Sequence, residues 1–467
     1  MDADATLLAR LQFAFTISFH IIFPAFTIGL SAWIATLLVM WRITERDRYR
    51  NLAQFWTKIF AVSFAMGVVS GIVLSYQFGT NWSEFSRAVG NTIGPLMGYE
   101  VLTAFFLEAT FLGVMLFGWN RVPPWLHVTA AICVAVGTLM SAFWILSANS
   151  WMQYPAGHEI VDGVAYPTDW WDLIFNPTFP YRFAHMVTAA YLTTAFVVIG
   201  VGARYALKNE HPRQSWTMLR MGLGMAAVLA PLQAVIGDFH GLSTLEYQPS
   251  KIAAMEAHWG GEEAAEGGVP LVLFALPNAE TESNDYEVAI PNLGSVILTH
   301  SWTGQFPGLK EFAPEDRPPL WWPFFGFRLM VGLGFLMIGI SWWGAWLWWR
   351  GRLTTSPRFL RLASWSWPVG FIAILAGWIT TETGRQPWVV WQVLRTEDAA
   401  SNLGFATVLT SLVMFVLVYS VVFATGIYYM NRLIVTGPKP YDTGGTPSRP
   451  LTGAGRPGNE LTRAGEA

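Results

Sequence analysis

Cysteine is almost missing from this chain of 467 residues; Cys133 is the only one. A single thiol excludes an intrachain disulfide and any CxxCH attachment site, and its place inside an apolar run reads as a small buried residue. Charge is scarce as well. Only 13% of the residues are charged against 53% hydrophobic, with a net charge of -3 and a mean hydropathy of +0.38, a balance that excludes an ordinary soluble enzyme. No basic cluster with interleaved aromatics appears, so no nucleic-acid partner is expected. No internal repeat is evident, which weakens an inverted-repeat transporter. The first apolar stretch is too long for a signal-peptide core and lacks a small-residue cleavage site, so it reads as a retained span.

What the chain does have is long apolar runs and 25 Trp with 14 Tyr, rings that collect at membrane interfaces. Runs long enough to cross a hydrocarbon core predict an all-α, polytopic integral membrane protein with about nine helices. They cover residues 11–41, 55–78, 95–119, 125–152, 181–207, 216–236, 321–349, 362–380 and 403–435. Spans one to six occupy 1–236, a long acidic connection 237–320, and spans seven to nine 321–435. A tail, 436–467, has the composition of a disordered segment. Arg42, Arg46, Arg48, Arg50, Arg121, Arg204, Lys208, Arg213, Arg350, Arg352, Arg358 and Arg361 all fall on one side. That places the N-terminus outside, the C-terminus in the cytoplasm, and the acidic connection outside.

Ionisable residues inside spans are costly and mark function. Those that stand out are His20, Glu100, Glu108, His185 and Arg328, with Glu382 at a span end in the stretch TTETGRQPW. Taken alone, that stretch is an ordinary helix end and each histidine a structural hydrogen-bonding group. However, His20, His185, Met330 and Glu382 share one expected depth on four helices. His185 and Met330 could form a His/Met axial pair of the kind that makes haem six-coordinate, leaving His20 and Glu382 as single ligands. Glu100 and Glu108, eight residues apart, should lie about 12 Å apart along a helix with a face offset of about 80°. They suit a proton relay, with Thr103 and Ser141 as bridging hydroxyls.

The segments RLQFAFTISFHIIFPAF, GYEVLTAFFLEATF, SANSWMQYPAG, YRFAHM, GDFHGLSTLEYQPSKIAAMEAHW, FGFRLMVGLG and GWITTETGRQPW together resemble subunit I of the cytochrome bd quinol oxidases, through all spans and most outer loops. The connection after QPSKIAAMEAHW is short, like the short-loop, often cyanide-insensitive branch. The resemblance implies two haem b groups, one low-spin and one high-spin, and a haem d or a third haem b. It implies that His185 and Met330 ligate the low-spin haem, and that His20 and Glu382 ligate the high-spin pair. Arg10, Arg328, Trp378 and Arg385 would lie around the haems, and Lys251 and Glu256 in a quinol-oxidising outer loop. Glu100, Glu108 and Ser141 would form the proton path. The implied partners are quinol, dioxygen, a second integral subunit, and in some members a small single-span subunit, in the bacterial inner membrane. Two other readings stay open here: a secondary transporter coupled through Glu100 and Glu108, and a haem b electron-transfer subunit without oxygen chemistry.

Overall fold

The computed structural model describes residues 3–260 and 267–438, so the expected tail lies almost wholly outside the described residues. In chain order the main helices are α1 (Ala3–Thr44), α2 (Asp47–Thr80), α3 (Ser83–Phe117), α4 (Pro124–Gln153), α5 (Phe179–Lys208), α6 (Pro212–Tyr247), α7 (Pro249–Glu256), α8 (Trp321–Trp349), α9 (Pro357–Trp365), α10 (Val369–Thr383) and α11 (Phe405–Thr436). Among the described residues, eight of these are long and apolar enough to cross a membrane. The pair α9 and α10, bent by 41°, makes a ninth if taken as one span. The bend falls at Trp367–Pro368, where the proline ring disfavours helical backbone in the residue before it. The expected all-α, nine-span bundle is thus the observed architecture.

The most enclosed spans are α1 and α5, and α11 is the barest. One half of the bundle is dry: Leu30, Trp33, Ile34 and Leu37 of α1 pack with Leu52, Trp56 and Phe60 of α2 and Val198 of α5. The buried charged cluster around Glu382 described below lies toward the other end, near the α6–α8 connection. Two antiparallel hairpins cap that end, β1 (His158–Val161) with β2 (Val164–Pro167), and β3 (Leu271–Asn278) with β4 (Ser283–Ile290). The β1–β2 turn is Asp162–Gly163, both at positive φ, the two-residue Asp-Gly turn that suits a twisted hairpin.

The helices overrun the hydropathy limits at most ends, and two departures bear on the site. α6 does not stop at Ile236 but continues to Tyr247; apolar content ends there, while the helical hydrogen bonding runs on. α3 contains a π-helical segment, Glu100–Phe105, one turn after Pro95, which has no N–H to donate.

Candidate functional site

The last turn of α10 carries Glu382. Its Oε1 accepts hydrogen bonds from Asn149 Nδ2 at 3.1 Å and Gln153 Nε2 at 3.3 Å, both from the last turn of α4. Its Oε2 pairs with Arg385, just beyond the helix end. Arg182, at the start of α5, donates from Nε to Ser150 Oγ at 3.1 Å and from Nη2 to Asn149 Oδ1. Lys251 of α7 donates to Gln153 Oε1 at 2.5 Å, and Gln248 Nε2 to the Gln153 carbonyl at 2.7 Å.

Arg182, Lys251 and Arg385 are 7%, 3% and 3% exposed, so three buried basic side chains surround one carboxylate. Burial, with Arg182 and Arg385 close by, holds the Lys251 ammonium well below the usual lysine range, against the pull of Glu382. Arg385 keeps Nε and Nη1 buried without a hydrogen-bond partner. Buried charge is costly unless paired, and these donors suit an anionic group such as a haem propionate.

Three of the four candidate ligands are faced by a glycine. A Cβ built on Gly71 would lie 3.2 Å from His20 Cε1, one on Gly237 3.3 Å from His185 Cε1, and one on Gly377 2.6 Å from Met330 Sδ. Side chains larger than hydrogen would push each ligand away. Ile21 and Met186, the neighbours of His20 and His185, pack in one cluster with Trp378, the neighbour of Gly377. Three of the four candidate ligands therefore lie near one level, and Glu382 lies just over one turn further along α10. His20 Nδ1 is 2.9 Å from Ser70 Oγ, which leaves Nε2 outside that bond, the arrangement a metal-bound imidazole would need. His185 has Nδ1 buried without a partner. These observations fit haem.

Ser141 Oγ donates to Glu100 Oε1 at 2.7 Å, and Glu108 lies against Gly137, one turn away on α4. Glu108 is buried, with Oε1 unpartnered. The expected offset of 80° does not hold, because a π turn carries one surplus residue. Eight residues then sweep the angle of about seven, and the two carboxylates fall within roughly 20° on one face. Thr103 does not bridge them either; its hydroxyl donates to the Tyr99 carbonyl and accepts from Trp144 Nε1.

Glu256 pairs with Arg328 through Oε2 and Nη2 at 2.7 Å. Arg328 also donates to the Val272 carbonyl at 2.7 Å and the Met255 carbonyl at 3.0 Å. Lys251 and Glu256 share the short helix α7, yet Lys251 joins the Glu382 cluster and Glu256 the Arg328 pair. Arg10 is exposed and donates to Gln386 Oε1 at 3.3 Å, which ties the start of α1 to the GRQPW segment.

Sequence reasoning missed Arg182, Asn149, Gln153 and His240. The last lies beyond the apolar part of α6, with its ring 5.3 Å from that of His185. A signal for Arg182 was present: an arginine three residues before a candidate ligand, at the mouth of a span.

A polytopic helical bundle that gathers half-buried imidazoles, a thioether and buried guanidinium groups toward one end is suited to holding haem in a membrane. Comparison with known proteins narrows this. The family model for cytochrome bd terminal oxidase subunit I matches residues 8–438. Cytochrome bd ubiquinol oxidase subunit 1 of Bacillus subtilis (strain 168) is 36% identical over 92% of this chain and 94% of its own length. Cytochrome bd-II ubiquinol oxidase subunit 1 of Escherichia coli (strain K12) is 32% identical over 93% of this chain and 97% of its own. The solved bd oxidase from Geobacillus thermodenitrificans superposes with a TM-score of 0.85 at 30% identity, covering 93% of this chain and 99% of that one. The chain belongs to the cytochrome bd terminal oxidase subunit I family.

Proposed function

We propose that this chain is the haem-carrying subunit of a terminal oxidase that oxidises quinol and reduces dioxygen to water. The observation that carries it is the buried basic cluster around Glu382, set just over one turn from the level near which His20, His185 and Met330 lie. His185 and Met330 would hold a low-spin haem b, and His20 and Glu382 a high-spin haem b and a third haem, d or b. Haem held by these residues would supply one-electron transfer and the chemistry of dioxygen reduction.

Arg385 and Arg182, with Arg10, Arg328 and Trp378, would line the haems, their planar forks suited to propionates. At the loop, Glu256 is held by Arg328 and would accept a quinol proton; Lys251 would hydrogen-bond a quinol oxygen. Protons consumed in water formation would climb from Glu108 to Glu100, helped by Ser141. With the N-terminus and loop outside and the C-terminus in the cytoplasm of a bacterial inner membrane, quinol protons leave outside while substrate protons enter from inside. Proton motive force then arises without a pump. A second integral subunit, and in some assemblies a small single-span one, would complete the enzyme.

The test is anaerobic reduction of the purified oxidase by quinol, followed by absorption. Haem bands that appear with quinol and are reversed by dioxygen are expected; a preparation without quinol-reducible haem overturns the reading.

A further inference from the structure

The α7–α8 connection carries an apolar surface that the redox chemistry leaves unused. In the β3–β4 hairpin, Phe274 stands opposite Val288 and Leu271 opposite Ile290. One side is packed: Val272 and Ala275 are buried with Ala257 and Phe324, and the Val272 carbonyl accepts from Arg328. The other side is bare, with Leu273 and Phe274 both 47% exposed, Val288 57% and Ile290 42%. Register shifts on either side of Phe274 break the strand alternation, which lets consecutive apolar residues both face outward.

The first turn of α8 fixes where that bare side lies. The Phe274 ring is 6.2 Å from Phe325, and Phe325 is 5.2 Å from Trp321. Trp321 and Trp322 begin a membrane-spanning helix and are 53% and 62% exposed, as expected of residues at headgroup level. The hairpin face thus continues the exposed apolar surface at the start of α8. Charge is distributed to match. Glu280 and Glu282 lie at the tip and Asp285 near it, while Glu287, beside Val288, accepts from Asn284, so charge is weighted toward the tip, the division that places an amphipathic element in an interface.

We propose that the base of the β3–β4 hairpin is a lipid-contact surface, seated in the headgroup–acyl boundary of the bilayer that α8 crosses. A consequence, which rests on the function proposed above, is that the Arg328–Glu256 pair behind the hairpin is reached by a substrate dissolved in the bilayer.

The experiment uses the intact oxidase in lipid nanodiscs, with a Cys133→Ser background and a bimane label on Val288→Cys or, as a tip control, Glu280→Cys. Lipid carrying a doxyl group near its headgroup should quench the label at 288 about two- to threefold more than that at 280, and aqueous iodide should do the reverse. Equal quenching at both positions would mean the hairpin stands in water. Shielding of 288 from both quenchers would mean that a protein covers it. Either result overturns the lipid contact, whatever the substrate.

A second arm addresses the route. Val288→Glu should raise KM for a long-chain quinol about fivefold and leave that for a short-chain, water-soluble quinol unchanged, with the haem spectrum intact. An equal rise for both quinols overturns the bilayer route. Failure of the unmodified oxidase to turn over either quinol counts against the proposed function alone.

Discussion

Ser141 Oγ donates a 2.7 Å hydrogen bond to Glu100 Oε1, across the contact between α3 and α4, one turn from the glycine that receives Glu108. The hydroxyl is a neutral group beside a carboxylate pair that the π turn has brought onto one face. Its loss and the loss of a carboxylate should therefore differ in size.

Ser141→Ala removes one hydrogen bond, worth about 0.5–1.5 kcal/mol, and should slow oxygen uptake a few-fold. Glu108→Gln removes the group that would carry the proton and should slow it about a hundredfold, in the range of lost general acid–base catalysis. Haem content should stay constant in both. Wild-type turnover in Glu108→Gln would end the relay assignment.

Met330→Leu should convert the low-spin haem to a high-spin form at equal protein yield, since leucine fills the space opposite Gly377 but offers no lone pair. Magnetic circular dichroism reads the spin state. An unchanged low-spin signal would remove Met330 from the ligand set.

Glu382→Gln and Arg385→Lys should separate by readout. The amide can still meet Asn149 and Gln153 but is a poor anionic ligand, so one high-spin haem should be lost or its band displaced. Lysine keeps the charge but not the fork, so Arg385→Lys should shift a haem potential and keep stoichiometry. Arg182→Ala removes the donor to Asn149 and Ser150 and one of three cations around Glu382, and should destabilise the assembly by about 1.5–3 kcal/mol, as for a lost hydrogen bond to a charged group. Redox titration with pyridine haemochrome assay distinguishes these outcomes.

Lys251→Met and Glu256→Gln should not behave alike. Lys251 touches Gln153, which touches Glu382, so its loss should disturb both quinol oxidation and the spectrum of the Glu382 site. Glu256→Gln should raise the quinol KM and leave that spectrum alone. Identical effects on both readouts would refute the division of α7 between two clusters.

Burial pushes the His258 imidazole below the usual histidine value of 6.5, against its bond to the Phe306 backbone and the pull of Glu311. The folded value is the lower one, so the unfolded loop binds more protons between the two values and stability rises with pH there. The contribution is complete above the ordinary histidine value and is lost as pH falls toward and through the folded one. Amides of Leu309 and Lys310, which donate to the carbonyls of His258 and Trp259, should exchange faster at about pH 5 than at about pH 7 after correction for intrinsic rates. His258→Phe should flatten that dependence.

The spans were legible because a hydrocarbon core demands long apolar runs, and the bundle has them where the sequence shows them. Helix continuation past Ile236 was not, since backbone hydrogen bonding persists where hydropathy stops. The one-face placement of Glu100 and Glu108 was hidden for a related reason: a surplus residue in a π turn leaves composition unchanged while it rotates everything beyond it. Arg182 was visible as a letter but not as a partner, because its contacts come from α4, far away in sequence.

One helix, α4, reaches Glu108 at Gly137, Glu100 at Ser141 and Glu382 at Asn149 and Gln153. Sixteen residues of α-helix form a bar about 24 Å long. The interval between the inner carboxylate and the end of α10 is therefore a ruler written in residue count, independent of how the loops are arranged. One residue added or removed between Gly137 and Asn149 would turn one end of the bar by about 100° against the other. No adjustment of a neighbouring loop could restore both alignments together.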